Sequence, residues 1–181
     1  MNALAELGNA ARGWRDLILA RPDGAARFTA TPAGLVNAIG FYIAMVLLAI
    51  LVQSVVFGSA APAQVFFGLA ANLLPLASIA LVVTGTRLAR VTEAGLLALM
   101  VPATYALGLL LAIAVPVALI GGGFFSNALL GLLGWGYFRL ARTIGKMNIG
   151  VAIAFAALSI VALVALPLGL YMLTVSAAPA A

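Results

Sequence analysis

Four acidic side chains are available for proton transfer or metal binding, Glu6, Asp16, Asp23 and Glu93, and no histidine or cysteine accompanies them. Without those two residue types the chain lacks thiolate nucleophiles, disulfides, imidazole acid–base catalysis and the usual zinc and haem ligands. Glu93 falls where a third apolar segment should begin. Its simplest role is a negative charge in the first turn of a helix, with Arg90 three residues back as an ion-pair partner. No Asp, Glu, Lys or Arg lies well inside an apolar run. Intramembrane ionisable residues are the ordinary mark of proton relays, ion-coupled transport and voltage sensing, and intramembrane proteolysis needs a base or a pair of carboxylates. No enzyme, cofactor or metal is therefore expected.

The polar residues that do fall inside apolar runs are neutral: Asn37, Tyr42, Gln53, Asn72, Thr104, Tyr105 and Asn127. Such side chains usually turn toward other helices, where each hydrogen bond contributes roughly 0.6–2 kcal/mol. Gly68, Asn72 and Pro75 share one helical face, and Thr104, Gly108 and Ala112 share another. Small residues four apart let backbones approach, so these two faces are expected to meet. With Tyr105 and Asn127 they make up the candidate packing or cavity residues. Pro75, Pro102 and Pro116 are also candidate breaks that could free carbonyls to line a transport site.

A second set is basic. Arg-Leu-Ala-Arg occurs at 87–90 and again at 139–142, although only 7% of residues are charged. Both copies follow apolar runs that start with a Phe pair, Phe66-Phe67 and Phe124-Phe125, but the pairs and the basic strings are offset by different amounts, so duplication is weak. Arg87, Arg90, Arg139, Arg142 and Lys146 are candidate lipid-headgroup residues. Arginine at a helix end snorkels to the interface, and each charge near an anionic leaflet contributes about 1 kcal/mol.

The elements that must carry these residues follow from composition. Of 181 residues 66% are hydrophobic, and the mean hydropathy is +1.26, far beyond the roughly 45–50% apolar content of soluble domains. The apolar runs approach the roughly 20 residues that a helix needs to cross a bilayer, and they are too continuous for barrel strands. The fold class expected is all-α, a polytopic membrane protein with five transmembrane helices preceded by an amphipathic interfacial helix. The spans are placed at 34–57, 63–85, 94–120, 124–138 and 149–175, between a cytoplasmic segment 1–33 and a short tail 176–181. Thr31-Pro32 supplies an N-cap and a first-turn proline for the first span. Pro102 and Pro116 should tilt or kink the third, and glycines at 131, 134 and 136 weaken the fourth.

Ahead of the spans, Leu4, Leu7, Ala11, Trp14 and Ile18 form an apolar stripe at helical spacing, with Glu6 and Asp16 mostly elsewhere. The stripe either lies in the headgroup region or packs on the protein's own helix ends or a partner. Residues 1–30 lack a continuous apolar stretch and do not read as a cleavable signal peptide.

All nine Lys and Arg lie in the N-terminal segment and the second and fourth connections. Under the positive-inside rule these face the cytoplasm and the C-terminus lies outside. Only an odd number of spans satisfies that arrangement, and Trp135, Tyr137 and Phe138 sit where a cytoplasmic aromatic belt belongs. The net charge of +5 resides at helix ends, so nucleic acid is not an expected partner. Alanine-, glycine- and arginine-rich, lysine-poor usage suggests a bacterial genome and hence the inner membrane, with a periplasmic C-terminus.

Trp14, the apolar Leu17-Ile18-Leu19, Pro22 and Phe28 ahead of five spans and a short outer tail resemble the Yip1-type membrane proteins in their bacterial form. The Asp-Leu-x-Gly-Pro stretch of the eukaryotic members has no match. The resemblance implies a polytopic, non-enzymatic protein that works through partners or lipids. The function expected is that of a membrane-organising protein or accessory subunit, with membrane lipids and a membrane-protein partner or second copy as its contacts. The alternative is a small permease or transport subunit for a neutral or lipophilic solute.

Overall fold

The computed structural model describes residues 3–58, 62–121 and 123–176. Among these residues the chain is all-α: α1 (Ala3–Ile18), a 3-10 turn (Pro22–Arg27), α2 (Pro32–Phe57), α3 (Pro62–Leu88), α4 (Leu96–Gly121), α5 (Gly123–Thr143) and α6 (Ile149–Ser176). Four helices contain stretches long and apolar enough to cross a membrane, Pro32–Val56, Gly68–Leu88, Leu96–Val117 and Ile149–Met172. The protein is thus a multi-pass membrane protein by the composition and length of its helices. The first and third connections and the tail, read at 58–62, 121–123 and 176–181, fall largely outside the described residues.

Local chemistry explains the helix starts. The Gly34 N–H donates to Thr31 Oγ1 at 3.1 Å, with Pro32 at the first helical position. The Val151 N–H donates to Asn148 Oδ1 at 2.9 Å and caps α6 in the same way. The start of α4 departs from expectation. The Ala94 N–H turns back onto Thr92 Oγ1, so the helix begins at Leu96 and Glu93 sits exposed in the loop before it. Among the described residues no ion pair joins Glu93 to Arg90. α5 continues past Phe138 to Thr143, so the second Arg-Leu-Ala-Arg string is helical throughout. Pro75, Pro102 and Pro116 all lie inside continuous helices rather than at breaks.

α4 is the centre of the bundle, with residues 101–108 all buried. α2 lies against it where Gly108 faces Phe41, so closely that a Cβ on Gly108 would come within 2.5 Å of the Phe41 ring. Gly108 therefore closes on α2, not on the Gly68 face of α3, and a Cβ on Gly68 would meet nothing within 4 Å. α3 pairs instead with α6, through a Ser78 hydroxyl that donates to the Ala162 carbonyl. α5 packs between α4 and α6, and the Tyr137 ring meets Phe155 edge-on. Outward faces stay apolar and exposed, as with Leu47, Leu51 and Val55 on α2 and Ile153, Val161 and Leu168 on α6. In water such faces would aggregate; in hydrocarbon they meet lipid.

Three contacts bring the basic segments to one end of the bundle. The Thr92 hydroxyl donates to the Gly145 carbonyl, tying the α3–α4 loop to the α5–α6 loop. Arg139 Nε and Trp135 Nε1 on α5 donate to the carbonyls of Leu17 and Ile18 at the end of α1.

Candidate functional site

The N-terminal helix is the unusual part of the molecule, because its inner face is spent on the bundle. Ala10, Gly13, Trp14 and Leu17 are buried, whereas Leu4 is 76% exposed and Ala11 is exposed as well. The stripe read from sequence was rotated from the true face. In the structure α1 packs against α2, α4 and α5 of its own bundle. Trp14 anchors it. Its Nε1–H donates to the Pro102 carbonyl of α4 at 2.8 Å, and its ring meets Phe28 and Tyr137 edge-on at 6.1 and 6.2 Å. Gly136 of α5 makes room for it, since a Cβ there would sit 2.7 Å from the indole.

The rotated face carries two carboxylates into the protein. Asp16 is 2% exposed and gathers three arginines. Arg15 Nη2 lies 2.9 Å and Arg21 Nη1 3.6 Å from Oδ1, and Arg27 Nε lies 2.8 Å from Oδ2. The Arg15 hydrogen bond, aided by Arg27 and opposed by burial, holds the Asp16 carboxyl below its ordinary value of 3.8. The result is a fixed array with three guanidiniums on one carboxylate.

Glu6 is 4% exposed and lies at the junction of α1, α2 and α4. Its Oε2 accepts from Asn37 Nδ2 at 2.6 Å, whereas Oε1 has no hydrogen-bond partner among the described residues. The Tyr105 hydroxyl lies close enough to feel its charge. Thr104, fully buried one residue earlier on α4, also has an unpartnered hydroxyl. Gly108 fits against Phe41, so the preceding turns bring Thr104 and Asn37 to the same level of the α2–α4 contact.

The remaining candidates are dispersed. Asn72 Nδ2 donates to the Gly68 carbonyl of its own helix, and the Asn72 carbonyl accepts from the Tyr42 hydroxyl. Pro75 is half-buried on α3, and Asn127 is exposed on α5. Of the headgroup candidates, Arg87, Arg90 and Lys146 are exposed, Arg142 is exposed while donating to the Met147 carbonyl, and Arg139 is half-buried against α1.

Beside Trp14 an apolar groove of about 260 Å³ runs between α1, α4 and α5, with Ile18, Leu110, Ile113 and Leu132 among its walls and Arg15 at one end. Further apolar grooves lie between α5 and α6 and between α3 and α6. None of the three is lined by Asn72, Thr104 or Tyr105. No group of three or more His, Cys, Asp or Glu that could hold a metal occurs among the described residues. Comparison with protein-family models, with curated proteins and with solved structures finds no match for the chain.

Sequence reasoning missed Glu6 and Asp16 as interior groups. The signal was present as Glu6, Ala10, Gly13 and Leu17, spaced four, three and four apart. Counting glycine and alanine as packing positions on that face would have found it.

Proposed function

We propose that the protein is a non-enzymatic, five-span inner-membrane protein of membrane-organising or accessory-subunit type, with its basic end in the cytoplasm. The observation that carries this reading is the closure of the bundle's polar level. Thr104 and Tyr105 are at most 2% exposed, and neither lines any of the three grooves described above. A transport path would need such groups to meet water. α5, at 21 residues and about 32 Å, supplies the fifth crossing, because its basic end then lies on the same side as Arg87 and Arg90. The likeness to Yip1-type proteins rests on Trp14, Leu17-Ile18-Leu19, Pro22 and Phe28 ahead of the spans, of which Trp14 and Phe28 meet edge-on.

The decisive experiment is reconstitution of the purified chain into liposomes, with uptake of glycerol and urea followed by light scattering. Rates equal to those of empty vesicles agree with the proposal, and a protein-dependent flux rejects it. Crosslinking in native membranes would then identify the partner. The second reading, a small permease or transport subunit, draws on Glu6 Oε1 and Thr104 Oγ1, two buried oxygens without hydrogen-bond partners among the described residues.

A further inference from the structure

We propose that the groove between α1, α4 and α5, together with the arginine array on Asp16, is a binding site for one anionic phospholipid. The acyl chain occupies the groove and the phosphate sits at Arg15 and Arg21. This rests on the membrane-embedded reading and names a lipid partner for α1.

The groove has the form of a single chain. From Ala106 to Ile113 it follows two turns of α4, about 10 Å, leading from the basic end toward the middle of the bundle. Its volume of about 260 Å³ is too small for a helix roughly 10 Å across. Its walls are aliphatic apart from the Trp14 ring and Arg15, so an apolar occupant with a polar head at one end is what the surface complements.

The charge at that end is held in place. Arg15 and Arg21 both reach the same oxygen of Asp16, and Arg27 takes the other. Three guanidiniums against one carboxylate leave two positive charges, while the Arg15 and Arg21 side chains remain 56% and 58% exposed. Each guanidinium carries five N–H donors and spends at most two on Asp16, so donors remain for phosphate oxygens. Because Arg15 is hydrogen-bonded to Asp16 through Nε and Nη2, a phosphate arriving there meets a guanidinium that has already lost part of its rotamer entropy. Arg87 and Arg90 do not themselves line the groove between α3 and α6, whose walls include their neighbours Thr86, Ala89 and Val91.

The test is thermal unfolding of the purified full chain in mild detergent, with phosphatidylglycerol or phosphatidylcholine added at equal mole fraction, together with native mass spectrometry of retained lipid. Phosphatidylglycerol should raise the midpoint by about 3 °C or more beyond phosphatidylcholine and be retained about tenfold better. Arg21→Gln, which leaves the Arg15–Asp16 contact intact, and Arg15→Gln should each remove most of that preference. Leu132→Trp, which fills the groove, should reduce retention of both lipids. Arg12→Gln, at an exposed arginine that turns onto the Gly8 carbonyl and does not line the groove, should leave the preference in place. Equal effects of the two lipids would overturn the proposal. So would a preference that survives Arg21→Gln or falls equally in Arg12→Gln, or a co-purifying polypeptide that protects the groove. Release of the chain from membranes by carbonate, without detergent, would instead refute the membrane reading itself.

Discussion

At the scale of single residues, Asp16 and Gly136 make opposite kinds of contribution. Asp16 orders charge. Its carboxyl is depressed below 3.8 in the folded protein, so its stabilising effect is fully present above that value and disappears as pH falls through the folded value. α1 should therefore loosen in acid below about pH 4, readable as faster hydrogen exchange over 3–18, while Asp16→Asn should show the loose α1 at every pH. Gly136 supplies space. Gly136→Ala forces a methyl to within 2.7 Å of a hydrogen-bonded indole and should destabilise by about 1–3 kcal/mol. Gly131→Ala, with nothing within 4 Å of its Cβ, should be neutral or mildly stabilising in the same denaturation assay. Trp14→Phe should lose about 1 kcal/mol with the bond to the Pro102 carbonyl.

At the scale of elements, α1, α3 and α5 are each followed by a non-glycine residue in the left-handed region, Ala20 at φ 59°, Arg90 at φ 55° and Lys146 at φ 50°. The conformation is held by reverse-turn bonds such as Arg21 N–H to the Asp16 carbonyl and Val91 N–H to the Thr86 carbonyl. The Ala20 methyl crowds the backbone in this conformation and is exposed, with no packing to lose, so Ala20→Gly should raise stability by about 1 kcal/mol in a denaturant titration. These elements also mark what was readable in advance. Thr31-Pro32 located the start of α2 and the apolar runs most spans, because caps and long hydropathy are local properties. The pairing of α2 with α4 and of α3 with α6 was not readable. Small residues such as Gly68 and Gly108 occur on several faces, and which faces meet depends on the packing of the whole bundle. Glu6 was obscured for a related reason: an acid on an amphipathic helix reads as solvated until its partner, Asn37 on another helix, is known.

At the scale of the whole molecule, the basic segments lie at one end, and the absence of cysteine makes sidedness directly measurable. Lys146→Cys and Ala89→Cys should react with a membrane-impermeant maleimide only after the inner leaflet is opened, and Ser176→Cys should react in intact cells or spheroplasts. Labelling of Lys146→Cys from the outside would remove α5 as a crossing and leave an even number of spans. The contacts that hold α1 also impose an order on biogenesis. α1 leaves the ribosome before α5, yet its last carbonyls are capped by Trp135 and Arg139, 117 and 122 residues downstream of their acceptors. At synthesis rates of roughly 5–20 residues per second, the nascent helix waits on the order of 6–25 s for those side chains. During that interval Trp14 lacks its partners on α4 and α5, and α1 reaches its native place only after α5 has been made.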